Sequence, residues 1–200
     1  RRDVAAVAAS AGELVPICQE YKLAQPGALA MVDLGWALVH LGDRNEGFAH
    51  LAEGLDQLER IGVRIWLSRV RRMNAEACLA AQRYDEGLQE VSRAIDIAKE
   101  IGVQGDIPRL YLLQGELLLY TSGRNVEMTE SCFRSALEVA EAQGARGWSL
   151  RAMTLMAGLL AQRGKRAQAR DRLATIYADF EEGFDTPDLR DARVLIDQLS

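Results

Sequence analysis

Glu59-Arg60-Ile61-Gly62-Val63, Glu100-Ile101-Gly102-Val103 and Ala142-Gln143-Gly144-Ala145 close three stretches of the chain in the same way. Their glycines stand at 62, 102 and 144, so the steps between them are 40 and 42 residues. Small residues eight positions earlier, Gly54, Ala94 and Ala136, keep those steps, and so do Gly47, Gly87 and Thr129 seven positions before them. Three different markers with one spacing define an internal repeat, and a repeat decides the fold before any single residue does.

Around each marker the pattern reads helix, tight turn, helix. The first unit runs Leu34-Gly35, Leu38, Gly42-Asp43, Gly47, Leu51 and Gly54-Leu55; the second Ala75, Cys78, Tyr84, Gly87, Val91 and Ala94-Ile95. The third has Gly115, Leu118, Thr129, Phe133 and Ala136-Leu137, and the fourth Met156-Ala157, Leu160, Gly164, Ala169, Leu173 and Ile176. Small residues let two helices approach closely where they cross, and large ones fill the grooves between them. Gly42 and Gly164 suit the left-handed residue that ends a helix. The large–small pair in the first helix and the small residues in the second resemble the tetratricopeptide pattern. The period exceeds the usual ~34 residues of that repeat, and HEAT-like units, with a period near 40, are the structural alternative.

The expected fold is all-α: a right-handed α-solenoid of about four tetratricopeptide-like hairpins filling residues 1–200 as one domain. Residues 1–25 read as the remnant of a preceding repeat, residues 26–62, 63–102, 103–144 and 145–182 as repeats, and 186–200 as a capping helix. Helices are predicted at 3–22, 26–41, 44–61, 64–81, 84–101, 107–121, 126–143, 147–163 and 166–181, with a looser turn at Ser122-Gly123-Arg124-Asn125. The last helix is predicted from Pro187, with Thr186 as N-cap. Leu189, Ala192, Leu195, Ile196 and Leu199 form its apolar stripe.

Charge and motifs narrow the function. The net charge is −5 and the isoelectric point about 5.2, which speaks against direct nucleic-acid binding, because that needs a net basic face. No apolar run reaches the ~18 residues of a membrane span. The start, Arg1-Arg2-Asp3, lacks Met and an apolar leader, so the chain reads as a piece of a longer cytoplasmic protein. Cys18, Cys78 and Cys132 are isolated and read as small buried hydrophobes rather than metal ligands. Gly158 to Gly164-Lys165 has the wrong spacing for a phosphate loop and carries Arg166 in place of the hydroxyl. The histidines, His40 and His50, fall on different helices of one hairpin, and acids such as Glu181-Glu182 and Asp96 with Glu100 read as solvated faces. No catalytic residue, metal site or cofactor is expected.

The end of the chain, from Ala167-Gln168-Ala169-Arg170 through Ile176-Tyr177-Ala178-Asp179-Phe180 to Glu182-Gly183-Phe184-Asp185-Thr186-Pro187-Asp188-Leu189, is similar to the C-terminal tetratricopeptide region of bacterial multidomain adenylate/guanylate cyclase–ATPase regulators. Gly35-Trp36-Ala37-Leu38 and Gly115-Glu116-Leu117-Leu118-Leu119 look similar to the same family. The resemblance implies an effector domain (a cyclase, or in other members a DNA-binding domain), a signal-transducing NTPase and then a helical sensor or oligomerisation arm. The catalytic parts of such proteins lie outside this segment.

In the tetratricopeptide arrangement the first helix of each hairpin lines a concave groove. Projection onto the sequence puts Val32, Trp36 and His40 there from the first unit, and Arg69, Arg72, Glu76 and Leu79 from the second. The third supplies Arg109, Leu112, Glu116 and Tyr120, and the fourth Arg151, Thr154 and Gly158. Arg69, Arg109 and Arg151 keep the repeat spacing, and a ladder of guanidinium groups would hold the carboxylates of a peptide. Trp36 is the aromatic anchor on this side; Trp66 and Trp148 are expected to pack between hairpins. The fourth hairpin is basic (Arg146, Arg163, Lys165, Arg166, Arg170, Arg172) and the segment after Asp179 acidic, so the cap either neutralises that hairpin or leaves it to dock an acidic partner. The expected function is a non-catalytic interaction or sensor module that binds a protein or peptide, an acidic one included, or another domain of its parent, with homodimerisation open. A small-molecule effector receptor is the alternative, and neither membrane nor nucleic acid is an expected partner.

Overall fold

The structure is a computed structural model that describes residues 3–121 and 125–200. Those residues form ten α-helices and no strand: α1 (Val4–Glu20), α2 (Ala24–Leu41), α3 (Arg44–Arg60), α4 (Leu67–Ala80), α5 (Tyr84–Glu100), α6 (Ile107–Leu118), α7 (Val126–Ala142), α8 (Arg146–Gln162), α9 (Arg166–Tyr177) and α10 (Pro187–Leu199). The expected all-α class is therefore what is found. The expected helix at 64–81 is divided, with a 3-10 turn at Arg64–Trp66 ahead of α4. The helices expected to reach 121 and 181 stop at Leu118 and Tyr177. In both places the last amides, of Tyr120 and of Asp179 and Phe180, bond carbonyls three residues back, and the final turn tightens out of α geometry. Of the looser turn expected at 122–125, only Asn125 lies among the described residues; it caps α7 by accepting from the Met128 amide at 2.9 Å.

Most helices end in one way. The amide after a left-handed residue returns to the carbonyl five positions back, as in Val63 to Leu58 and Val103 to Ala98. Gly62, Gly102 and Gly144 hold the left-handed positions after α3, α5 and α7 at φ 70°, 73° and 65°. Lys22 does the same after α1 at φ 54°, 40 residues before Gly62. The end of α1 is thus built like the end of a hairpin's second helix.

The chain forms two compact units, Arg1–Asp106 and Ile107–Ser200. In the N-terminal unit, α1 packs on α2, α2 pairs with α3, and α4 with α5. The α2–α3 crossing runs backbone against backbone. A Cβ on Gly35 would stand 2.5 Å from the Gly47 carbonyl oxygen, one on Gly47 2.7 Å from the Gly35 oxygen, and one on Gly54 2.7 Å from the Ala28 oxygen. These are the small positions that the repeat spacing singled out. The core around them holds Val32, Trp36, Leu51, Leu58, Val70 and Met73. In the second pair the small Ala94 leaves its carbonyl within reach of the buried Ser68 hydroxyl, which donates to it at 2.9 Å.

In the C-terminal unit, α6 pairs with α7, α8 packs on both α7 and α9, and α10 lies across α8 and α9. Here Gly115 faces a side chain: a Cβ would meet the Phe133 ring at 2.3 Å. One core runs from Leu112 and Phe133 through Met153 and Leu173 to Leu189, Ala192 and Leu199, with Leu195 and Ile196 packed against it. The predicted α10 stripe is thereby turned onto α8 and α9. Thr186 is the N-cap and Pro187 the first helical residue as predicted, although the Thr186 side chain makes no capping bond.

Candidate functional site

The residues projected onto the concave face divide between the two units. In the N-terminal unit they lie on the neighbouring first helices α2 and α4. Trp36 is 7% exposed and belongs to the core; its indole Nε1–H donates to Glu76 Oε2 at 3.1 Å. The exposed His40 ring sits 4.3 Å from the Trp36 ring, and its Nδ1–H donates to the Trp36 carbonyl at 2.8 Å. Arg72 has a side chain only 3% exposed, with Nη1 to Glu76 Oε1 at 2.6 Å and Nε to Asp106 Oδ2 at 2.7 Å. Trp36, Glu76, Arg72 and Asp106 therefore form one bonded chain. Arg69 pairs with Asp33 of α2 at 2.8 Å, and its guanidinium stands 5.9 Å from the Trp66 ring.

In the C-terminal unit, Arg151 of α8 pairs with Glu116 of α6 at 3.3 Å. The Arg109 guanidinium lies 6.0 Å from the Trp148 ring, and Tyr120 is 60% exposed. Thr154 spends its hydroxyl on the Leu150 carbonyl within its own helix.

Several expectations need correction. Val32 and Leu112 were expected on the groove and are core residues, 0% and 2% exposed. Trp36 and Arg72, expected as groove contacts, are turned inward as well. Helix α2 packs on both its own second helix α3 and the next first helix α4, which closes over Val32 and Trp36. Arg69 and Arg151, expected to offer their charge to a ligand, each engage an acid on the preceding first helix: Asp33 with Arg69 and Glu116 with Arg151. The repeat spacing located the arginines, but not their acidic counterparts on the preceding first helix. Trp66 and Trp148 are half-buried, and Trp148 packs against the C-terminal core.

The fourth hairpin's charges also resolve differently from the neutralising cap. Arg163 pairs with Glu130 at 2.6 Å and Glu127 at 3.3 Å on α7, and Arg170 with its neighbour Asp171 at 2.7 Å. Arg146 and Arg166 donate to the backbone carbonyls of Asp179 and Gln198. Beside Arg146 a shallow cleft is lined by Glu141, Ser149, Ile176 and Phe180.

Burial pushes the Cys78 and Cys132 thiols up to about 11, away from thiolate chemistry at neutral pH. On the surface, the Arg64 guanidinium bonded to Glu100 holds that carboxyl below its ordinary value. Among the described residues, no three His, Cys, Asp or Glu side chains gather as a metal-binding group, and no helix is long and apolar enough to cross a membrane.

Together these features define an all-α protein of repeat-like helical pairs in which an ion pair ties the two neighbouring first helices of each unit. The chain is similar in fold to BtubC (BKLC) from P. vanneervenii, with a TM-score of 0.81 at 15% identity, over 100% of this chain and 84% of that one. No protein-family model matches the chain, and no curated protein matches it either.

Proposed function

We propose that the chain is a non-catalytic interaction module that holds an extended polypeptide across the first helices of its hairpins, read as successive turns of a tetratricopeptide-like solenoid. The observation that carries this reading is the pairing of opposite charges between the adjacent first helices of each unit. Asp33–Arg69 joins α2 to α4, and Glu116–Arg151 joins α6 to α8. Each pair fixes the register of two neighbouring helices and leaves both charges partly exposed, so each unit presents a rigid polar strip. His40 borders one strip, and Arg109 and Tyr120 the other. Such a surface is pre-organised, which lowers the entropic cost of binding a flexible segment. The sequence resemblance to cyclase–ATPase regulators supports placing this module as the sensor arm of a multidomain bacterial signalling protein.

Selection of peptides from a displayed library tests the proposal. Enriched sequences should lose binding at least ~10-fold with Arg109→Glu or Tyr120→Ala, and with Arg151→Glu, which sets two acids side by side. They should keep it with Glu53→Lys on α3. Selection that yields no binder, or binders indifferent to all three changes, counts against the module. The small-molecule alternative predicts a thermal shift with nucleotides or metabolites in place of peptide binding.

A further inference from the structure

The second helix of the terminal hairpin departs from an electrostatic pattern that the other second helices keep at their starts. A helix start carries partial positive charge and favours acids, and a helix end favours cations. The second helices α3, α5 and α7 comply, with Glu46, with Asp85 and Glu86, and with Glu127 in their first turns. Helix α9 does the reverse at both ends. Its first turn has no acid and begins with Lys165 and Arg166, while Asp179, Glu181 and Glu182 follow its last turn.

These charges are not neutralised at home. Among the described residues, Lys165 and Arg172 make no ion pair, Arg166 bonds only a backbone carbonyl, and Asp179, Glu181 and Glu182 engage no cation through their carboxylates. All six are exposed. The other exposed arginines of the helical pairs mostly have acids, as Arg60 has Asp56 and Arg134 has Glu130. With 12 residues, α9 separates its basic and acidic ends by about 18 Å. Along α9, Lys165 and Arg166 thus stand at one end, Arg172 midway, and Asp179, Glu181 and Glu182 beyond the other end.

We infer that this hairpin is a self-complementary docking surface, on which a second copy of the chain lies antiparallel. Lys165, Arg166 and Arg172 of each copy then face Asp179, Glu181 and Glu182 of the other. A two-fold axis satisfies both ends at once, as an isologous contact requires. Any partner with a single acidic patch would satisfy only one end. The face is small and its charges are exposed, so the association is weak and salt-dependent. It does not depend on the first-helix strip, and loss of either leaves the other intact.

Sedimentation of the 200-residue chain, at about 0.02 M and about 0.5 M salt, tests this. Dimer at low salt and monomer at high salt is expected. Lys165→Glu/Arg172→Glu and Glu181→Lys/Glu182→Lys should each be monomeric at low salt, with unchanged melting curves. Mixed in equal amounts they should re-form a dimer, because both contacts then pair opposite charges. A wild type that is monomeric throughout, a dimer insensitive to either reversal, or a mixture that stays monomeric overturns the inference. So does a monomer retained instead on polyglutamate or DNA.

Discussion

The two units solve one packing problem with different materials. In the N-terminal unit, α2 and α3 touch through backbone, and an inward ion-pair chain runs from Trp36 through Glu76 and Arg72 to Asp106. A second inward arginine, Arg71, with a side chain 13% exposed, joins Glu59 and Glu90. In the C-terminal unit, α6 and α7 meet through Gly115 and the Phe133 ring, and the Arg151–Glu116 pair between first helices is partly exposed. Polar groups inside a protein demand specific partners, whereas apolar side chains accept any neighbour of suitable shape. The N-terminal unit should therefore be less tolerant of substitution.

The largest expected break is Arg72→Ala. It leaves Glu76 largely buried beside Trp36 without its cation, and loss of one member of a buried pair costs about 3–5 kcal/mol. Urea denaturation measures it. A loss below about 1 kcal/mol would mean that water replaces the guanidinium and that the contrast between the units is superficial.

Next comes the difference between the glycine crossings. Gly35→Ala and Gly115→Ala should each lose about 1–3 kcal/mol by overpacking, with Gly35 at the upper end because the Gly47 oxygen and Leu51 nitrogen are backbone. Combining Gly115→Ala with Phe133→Leu should cost less than the sum of the two single changes, since shortening the ring frees the space the methyl needs. No side-chain truncation relieves Gly35→Ala. Equal recovery in both units would erase the distinction.

A smaller effect concerns the turns. Gln82 follows α4 at φ 63°, where Gly42 follows α2 at φ 109°. Side chains other than glycine are disfavoured there by about 1–2 kcal/mol, so Gln82→Gly should raise the thermal midpoint. An unchanged midpoint would show that the side chain offsets its backbone strain. The smallest expected effect is Arg151→Ala, below about 1 kcal/mol, because the pair it breaks is solvent-screened. Set beside Arg72→Ala, it measures directly how much burial matters.

Helix positions were legible because the small-residue markers recur with fixed steps and the apolar residues between them follow the helical period. Even so, Lys22 and Gln82 escaped notice as left-handed residues, since only glycine announces that conformation in a sequence. The candidate surface was legible in part. Arg69, Arg109 and Arg151 were placed on the first helices by spacing, but spacing says nothing of what lies opposite them. Asp33 and Glu116 occur at no shared offset from the markers.

By itself, then, the sequence determined the all-α class, the pairing of helices by small residues, and the opposed charges at the ends of α9, because each is a property of neighbours along the chain. The tertiary structure decided that Trp36 and Arg72 face inward, that Arg69 and Arg151 are engaged, and that Arg172 of α9 makes no ion pair among the described residues. Those outcomes depend on which side chains from distant segments come within hydrogen-bond reach. Such proximity is set by how helices cross, and no local spacing encodes it.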